Sequence, residues 1–126
     1  MPAIRHAEAT SGVEVQVVTK ALIKAAELLE VPNGVLARII GVSDTTVSRM
    51  RNSGHVIPRD KPFEMAVLFI RLFRSLDALV GGDAKAAQVW LRSPNNAIND
   101  TPIEAIQKVA GLMNVIAYLD ARRAVI

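Results

Sequence analysis

The stretch LARIIGVSDTTVSRMRN, residues 36–52, predicts two short helices joined by a tight turn. Leu36, Ala37 and Ile40 place apolar groups on one side of the first helix, at helical spacing. Gly41 follows, where a sharp corner suits a residue that tolerates positive φ and has no Cβ. The first helix is therefore predicted to end at this glycine.

The second helix is predicted to begin directly after Ser43. Serine is a good N-cap, and Asp44 suits the positive N-terminal end of a helix. Val47 and Met50 point inward, which leaves a polar face outside. Corner, cap and buried pair fall in one register, which is typical of a DNA-binding helix-turn-helix. The alternative is a plain helical hairpin with a solvated polar face, which does not need these three features together.

The outward face of the second helix carries the predicted DNA contacts. Short hydroxyl side chains reach phosphates or base edges, Arg49 can bind a guanine edge through two hydrogen bonds, and Asn52 can pair with adenine or a phosphate. Arg51 and His55 lie at or beyond the helix end, where phosphates are the expected target. The full predicted set is Ser43, Asp44, Thr45, Thr46, Ser48, Arg49, Arg51, Asn52 and His55.

The composition favours an all-α protein with an aliphatic core. Of 126 residues, 51% are hydrophobic and only 4% aromatic, and no alternating strand pattern persists. A net charge of +3 is compatible with a nucleic-acid partner but is weak support by itself. No apolar run reaches the roughly 18 residues of a membrane span. We expect a cytoplasmic protein, associated with the nucleoid when bound to DNA, with no membrane partner.

No chemistry of catalysis is visible in the sequence. Cysteine is absent, so neither a disulfide nor a thiolate metal site is expected. No nucleophile–base pair, phosphate-binding glycine loop or cluster of metal ligands occurs. We therefore predict no catalytic residue, no metal and no cofactor.

The chain divides into a flexible arm at 1–12, a helix-turn-helix domain at 13–60 and a third segment at 61–126. The first helix is predicted from about Val15 to Glu30, and Asn33 is a plausible cap for the next. Asp60 is expected to cap a long helix that ends near Leu79. Because that helix is apolar on most sides, it lies between two subdomains, in a dimer interface, or simply inside one core.

Two further caps are predicted in the third segment. Asp83 caps a short helix over 84–92. Thr101, followed by proline and then by Glu104, has the spacing of a capping box for a helix that runs to Ala110. Gly111 is expected to break or bend the chain before a last helix from Leu112 to about Arg123.

A second motif lies within residues 90–119. Its residues are Trp90, Leu91, Pro94, Asn95, Ala97, Pro102, Ile103, Glu104, Gly111, Val115 and Leu119. In this spacing the segment resembles the C-terminal toxin-binding domain of the Xre/ParS/MbcA antitoxins, over about residues 63–126. The same family carries an N-terminal Xre-type helix-turn-helix, which matches the first motif.

The resemblance implies the antitoxin of a type II toxin–antitoxin pair. It implies a toxin with a RES domain, which consumes NAD and whose active site the antitoxin covers. It also implies that the chain represses its own operon by binding promoter DNA as a homodimer. The predicted toxin contacts are Trp90, Pro94, Asn95, Arg122, Arg123, Ala124, Val125 and Ile126.

Structural roles compete with these toxin contacts. Trp90 can pack in a core, Pro94-Asn95 can form a turn, and the two arginines can merely favour the negative end of a helix. An alternative function is a stand-alone phage-like transcriptional repressor whose C-terminal half only dimerises. An enzyme has little support.

Overall fold

The computed structural model describes the backbone of residues 2–125 and the side chains of residues 12–123. Within that part the chain forms helices and no strand, apart from one isolated bridge between Asn95 and Asp100. The all-α prediction is confirmed. The helices are α1 (Pro2–Leu28), α2 (Asn33–Ile40), α3 (Asp44–Asn52), α4 (Lys61–Leu79), α5 (Ala84–Arg92), α6 (Pro102–Ala105) and α7 (Val109–Val125).

Helices α2 and α3 form the predicted helix-turn-helix. Gly41 adopts φ 78°, and its N–H donates to the Ala37 carbonyl at the end of α2. The Ser43 hydroxyl caps α3 by accepting from the Thr46 N–H at 3.1 Å. Val47 and Met50 are both buried. The corner, the cap and the buried pair are therefore confirmed.

Helix α4 is the central element of the fold. It packs against α1 and α2 of the first half of the chain and against α5 and α7 of the second. Ala66, Phe69, Leu72 and Leu76 are fully buried and belong to one continuous apolar cluster. The apolar character of α4 on most sides is explained by this position between the helix-turn-helix and the C-terminal helices. A dimer contact through α4 stays a prediction.

The first helix begins earlier than predicted. Helix α1 starts at Pro2 instead of near Val15, and proline suits a first helical position. The alanine, arginine and glutamate residues that follow are good helix formers, which outweigh Gly12. The side chains of residues 1–11 lie outside the described residues, and the division into 1–12, 13–60 and 61–126 stays a prediction.

Two predicted N-caps are wrong for different reasons. Asn33 lies inside α2, and its side-chain oxygen accepts a hydrogen bond from Arg51, while Pro32 occupies the cap position. Asp60 precedes α4 with φ 68°, and its side chain makes no capping hydrogen bond. An N-cap side chain reaches the helix N–H groups from an extended backbone, which Asp60 does not have.

The predicted capping box at Thr101 is also wrong, as is the helix to Ala110. Thr101 makes no side-chain cap, and α6 ends at Ala105. Gly111 does not break the chain but lies inside the first turns of α7. A Cβ at this position would collide with the Ala105 carbonyl, so the glycine allows α6 and α7 to approach closely.

Candidate functional site

The outward face of α3 carries the side chains predicted to contact DNA. Asp44, Thr45, Arg49 and Asn52 are exposed, and Ser48 is half-buried. Within the described residues, no intramolecular hydrogen bond holds the Thr45 or Arg49 side chain. These two residues are four apart and therefore share one helix face. Hydroxyl and guanidinium groups on that face are free to bind an external partner.

Several other polar groups on this face are held in place by their neighbours. The hydroxyls of Ser43 and Thr46 lie 3.0 Å apart and share a hydrogen bond. The Asn52 side-chain amide donates to the Ser48 hydroxyl at 3.4 Å. Because Val47 and Met50 anchor α3 in the core, the whole face has a fixed orientation relative to the domain.

Arg51 is the exception, since its side chain turns into the protein. Its guanidinium donates to the Val31 carbonyl at 2.8 Å and to the side-chain oxygen of Asn33. These bonds attach the end of α3 to the turn between α1 and α2. Arg51 therefore has a structural role in this geometry, and its phosphate contact stays a prediction.

A second exposed surface lies where α5 meets α7. The rings of Trp90 and Tyr118 stack with their centroids 6.2 Å apart and an interplanar angle of 21°. The Arg122 guanidinium lies over the Tyr118 ring, 5.9 Å from its centroid. Val89 adds an apolar side chain that is 61% exposed. We call Val89, Trp90, Tyr118 and Arg122 the aromatic face.

The two neighbouring arginines of α7 diverge. Arg122 joins the aromatic face, whereas the Arg123 guanidinium donates to the Ser75 hydroxyl of α4 at 3.2 Å. Ser75 in turn donates to Asp120, which also pairs with Arg71. Arg123 therefore belongs to a polar network that fastens α7 to α4. Its toxin contact stays a prediction.

Pro94 and Asn95 form part of a compact loop after α5. The Asn95 side-chain oxygen accepts from the N–H groups of Ala97 and Ile98, at 3.0 and 3.3 Å. The Asn95 backbone also bridges to Asp100. Asn95 therefore shapes the loop, as the turn interpretation expects, while Pro94 is exposed. The side chains of Ala124, Val125 and Ile126 lie outside the described residues.

Comparison with protein families identifies both halves of the chain. The antitoxin Xre-like helix-turn-helix domain matches residues 5–71, more than half of the chain. The chain belongs to the Xre-like antitoxin family. The antitoxin Xre/MbcA/ParS C-terminal toxin-binding domain matches residues 75–124. A search of curated proteins returned no match.

Each of the two surfaces lies within a different matched domain of this Xre-like antitoxin. The α3 face lies within the matched helix-turn-helix domain, and the aromatic face lies within the matched toxin-binding domain. The recognition of the family from sequence is confirmed. Among the described residues, no cluster of three His, Cys, Asp or Glu residues could hold a metal, and no helix is both long and apolar enough to cross a membrane.

Polar side chains connect the two halves of the antitoxin. Gln88 and Arg92 of α5 donate to the Leu28 and Glu30 carbonyls, at 2.9 and 2.7 Å. Arg38 of α2 donates to the side chain of Gln107, which precedes α7, at 2.6 Å. Side chains of the toxin-binding half thus donate hydrogen bonds to carbonyl groups at and just after the end of α1.

The predicted contacts do not include Val89 and Tyr118 of the aromatic face, or Lys20 and Lys24 beside the α3 face. A tyrosine among so few aromatics is a usable sequence signal. The two lysines have no such signal in the sequence. The structure sets both lysines beside the end of α3, along a groove that Asn52 and His55 also line. That proximity depends on how α1 packs against the loop after α3, which the spacing of residues within α1 does not predict.

Proposed function

We propose that this antitoxin has two activities in a type II toxin–antitoxin system. It represses its own operon by binding promoter DNA as a homodimer, and it neutralises a RES-type, NAD-consuming toxin by covering the active site. The observation that carries the proposal is the presence of two differently composed exposed faces, one on each matched domain.

The α3 face has the chemistry of a base-reading surface. Arg49 offers a planar fork of donors that suits the O6 and N7 atoms of guanine, and Thr45 offers a short hydroxyl on the same face. One recognition helix reads few bases, so a two-fold dimer that sets two such helices about 34 Å apart would supply the remaining specificity.

The aromatic face has the composition of a protein–protein binding surface. Tryptophan, tyrosine and arginine are the residues that most often dominate the energy of such interfaces. Trp90 stacks on Tyr118, and the Arg122 guanidinium lies over the Tyr118 ring at the surface. A guanidinium pairs well with carboxylate or phosphate groups, which supports insertion toward a nucleotide-binding cleft.

One experiment tests both activities with the purified chain and the adjacent gene. Electrophoretic shift assays compare the DNA upstream of the antitoxin's own operon with an unrelated duplex of equal length. The adjacent gene is expressed in cells with and without the antitoxin, while growth and NAD content are followed. We expect selective retardation of the upstream DNA, and recovery of growth and NAD. Unselective DNA binding together with no rescue of growth would contradict the proposal.

A further inference from the structure

A groove of about 530 Å³ runs between α1 and the segment that follows α3. Gln16, Lys20 and Lys24 line one wall, each four residues from the next and therefore on one helix face. Asn52 and His55 line the opposite wall. The groove thus opens beside the C-terminal end of the predicted recognition helix.

The two walls of the groove are fixed to each other. The buried Thr19 hydroxyl donates to the Val15 carbonyl at 2.7 Å and accepts from the Ile57 N–H at 2.9 Å. Ile57 is itself buried, so the loop that carries His55 is fastened to α1. The groove is therefore a built feature of the domain and not a gap between two independent segments.

The lysine ammonium groups of this groove are available to a partner, and an exposed histidine lies opposite them. Lys20, Lys24 and His55 are exposed. Within the described residues, neither lysine ammonium has a carboxylate within the 4.0 Å of an ion pair. Glu27 lies at one end of the groove and is its one acidic lining residue. The surplus of positive charge adjoins Asn52, which already belongs to the α3 face.

We propose that Lys20 and Lys24 bind backbone phosphates of the same duplex whose bases the α3 face reads. This inference rests on the proposed promoter binding. It adds a second DNA-contacting surface, which α1 supplies. A lysine binds phosphate as a compact point charge and carries no base preference. The lysines therefore add affinity and fix the position of α3 without changing which sequence is preferred.

The test measures promoter affinity against salt for the full chain and for the double variant Lys20→Gln with Lys24→Gln. Each neutralised phosphate contributes about 0.9 to the slope of log affinity against log salt, so the double variant loses about 1.8. Raising the salt from about 50 to about 200 mM then narrows the affinity gap to the native protein by about tenfold. The preference for promoter over unrelated duplex stays the same.

A matched control removes two exposed lysines from the other half of the chain. Lys85→Gln with Lys108→Gln changes the net charge equally, and both positions are far along the chain from the groove. We expect it to keep the native slope. A separate variant, Glu27→Gln, removes the carboxylate from the groove and should raise promoter affinity. Circular dichroism melts verify that all variants fold.

The outcomes separate this inference from the proposed function. If the native chain does not prefer its promoter, the proposed function fails. If the native chain prefers its promoter but the Lys20/Lys24 variant keeps the native salt slope, only the α1 contact is refuted. An equal loss of slope in the Lys85/Lys108 control would likewise refute it, because it would reflect net charge alone.

Discussion

The α3 face and the aromatic face differ in how their exposed side chains are held. On α3, Arg49 projects from a helix whose inner side is anchored, and the described residues give its guanidinium no internal partner. On the aromatic face, Arg122 is positioned by the Tyr118 ring, which itself stacks on Trp90. On α3 the backbone is fixed but the Arg49 guanidinium is free. On the aromatic face the Arg122 side chain is oriented as well.

This difference matches what each proposed partner requires. DNA presents flat base edges and phosphates, so an adaptable donor on a fixed helix can find its acceptor. A toxin cleft demands a defined shape, and pre-ordered side chains lose less conformational freedom on binding. If the two faces bind their partners independently, a substitution on one face should leave the partner of the other face unaffected.

The largest expected effect concerns the close approach of α6 and α7. Gly111→Ala puts a Cβ against the Ala105 carbonyl, and because backbone must move we expect a loss of about 3 kcal/mol in the free energy of unfolding. Urea denaturation measures it. Gly12→Ala is the control, because open space surrounds that helical glycine, and it should stabilise by about 0.5 kcal/mol. Equal stability of the two variants would contradict the close approach of α6 and α7.

The next effect concerns the α3 face. Arg49→Ala removes the proposed guanine contact and should weaken promoter binding by about 2 kcal/mol, or roughly thirtyfold, with toxin affinity unchanged. Fluorescence anisotropy with labelled promoter measures this loss. Arg74→Ala makes the same change of charge at an exposed position of α4 and should cost far less. A similar loss in both variants would show that Arg49 acts only through net charge.

A smaller effect separates the two arginines of α7. Arg122→Ala should lower toxin affinity by about 1 kcal/mol, roughly fivefold, because the exposed cation is lost from the aromatic face. Arg123→Ala should instead lower the free energy of unfolding by about 1 kcal/mol, since it removes the bond to Ser75. Calorimetric titration and urea denaturation measure the two quantities. Interchanged results would contradict the divergence of these side chains.

The last comparison concerns two N-cap positions, one of which should show almost no effect. Ser43→Ala should cost about 1 kcal/mol in the free energy of unfolding, because the serine hydroxyl accepts from the Thr46 N–H. Thr101→Ala should leave the free energy of unfolding nearly unchanged, since the Thr101 side chain makes no capping bond. Urea denaturation of both variants provides the measurement. A larger loss for Thr101→Ala would show that the capping box forms after all.

The helix-turn-helix was predictable because its geometry is determined locally. Gly41 needs its positive φ, and Ser43 caps the helix that directly follows it, so each residue carries its own structural reason. The C-terminal half was less predictable. Thr101 has the local preference of a cap but makes no capping hydrogen bond. Gly111 has the local preference of a helix break, but the close approach of α6 and α7 sets its actual role.

The same distinction applies to the candidate sites. The outward position of Arg49 follows from helical periodicity, and it is exposed as predicted. The inward turn of Arg51 depends on acceptors at Val31 and Asn33, some twenty residues earlier. Likewise, the stack of Trp90 on Tyr118 joins two helices far apart in sequence, and periodicity within either helix does not contain it.

The separation of the two faces is tested most directly by measuring both affinities in one set of proteins. Promoter and toxin affinities are determined for the native chain, Arg49→Ala and Arg122→Ala under identical conditions. We expect Arg49→Ala to weaken only promoter binding and Arg122→Ala to weaken only toxin binding. Loss of both affinities in either variant, with the fold intact, would contradict two independent binding surfaces on one chain.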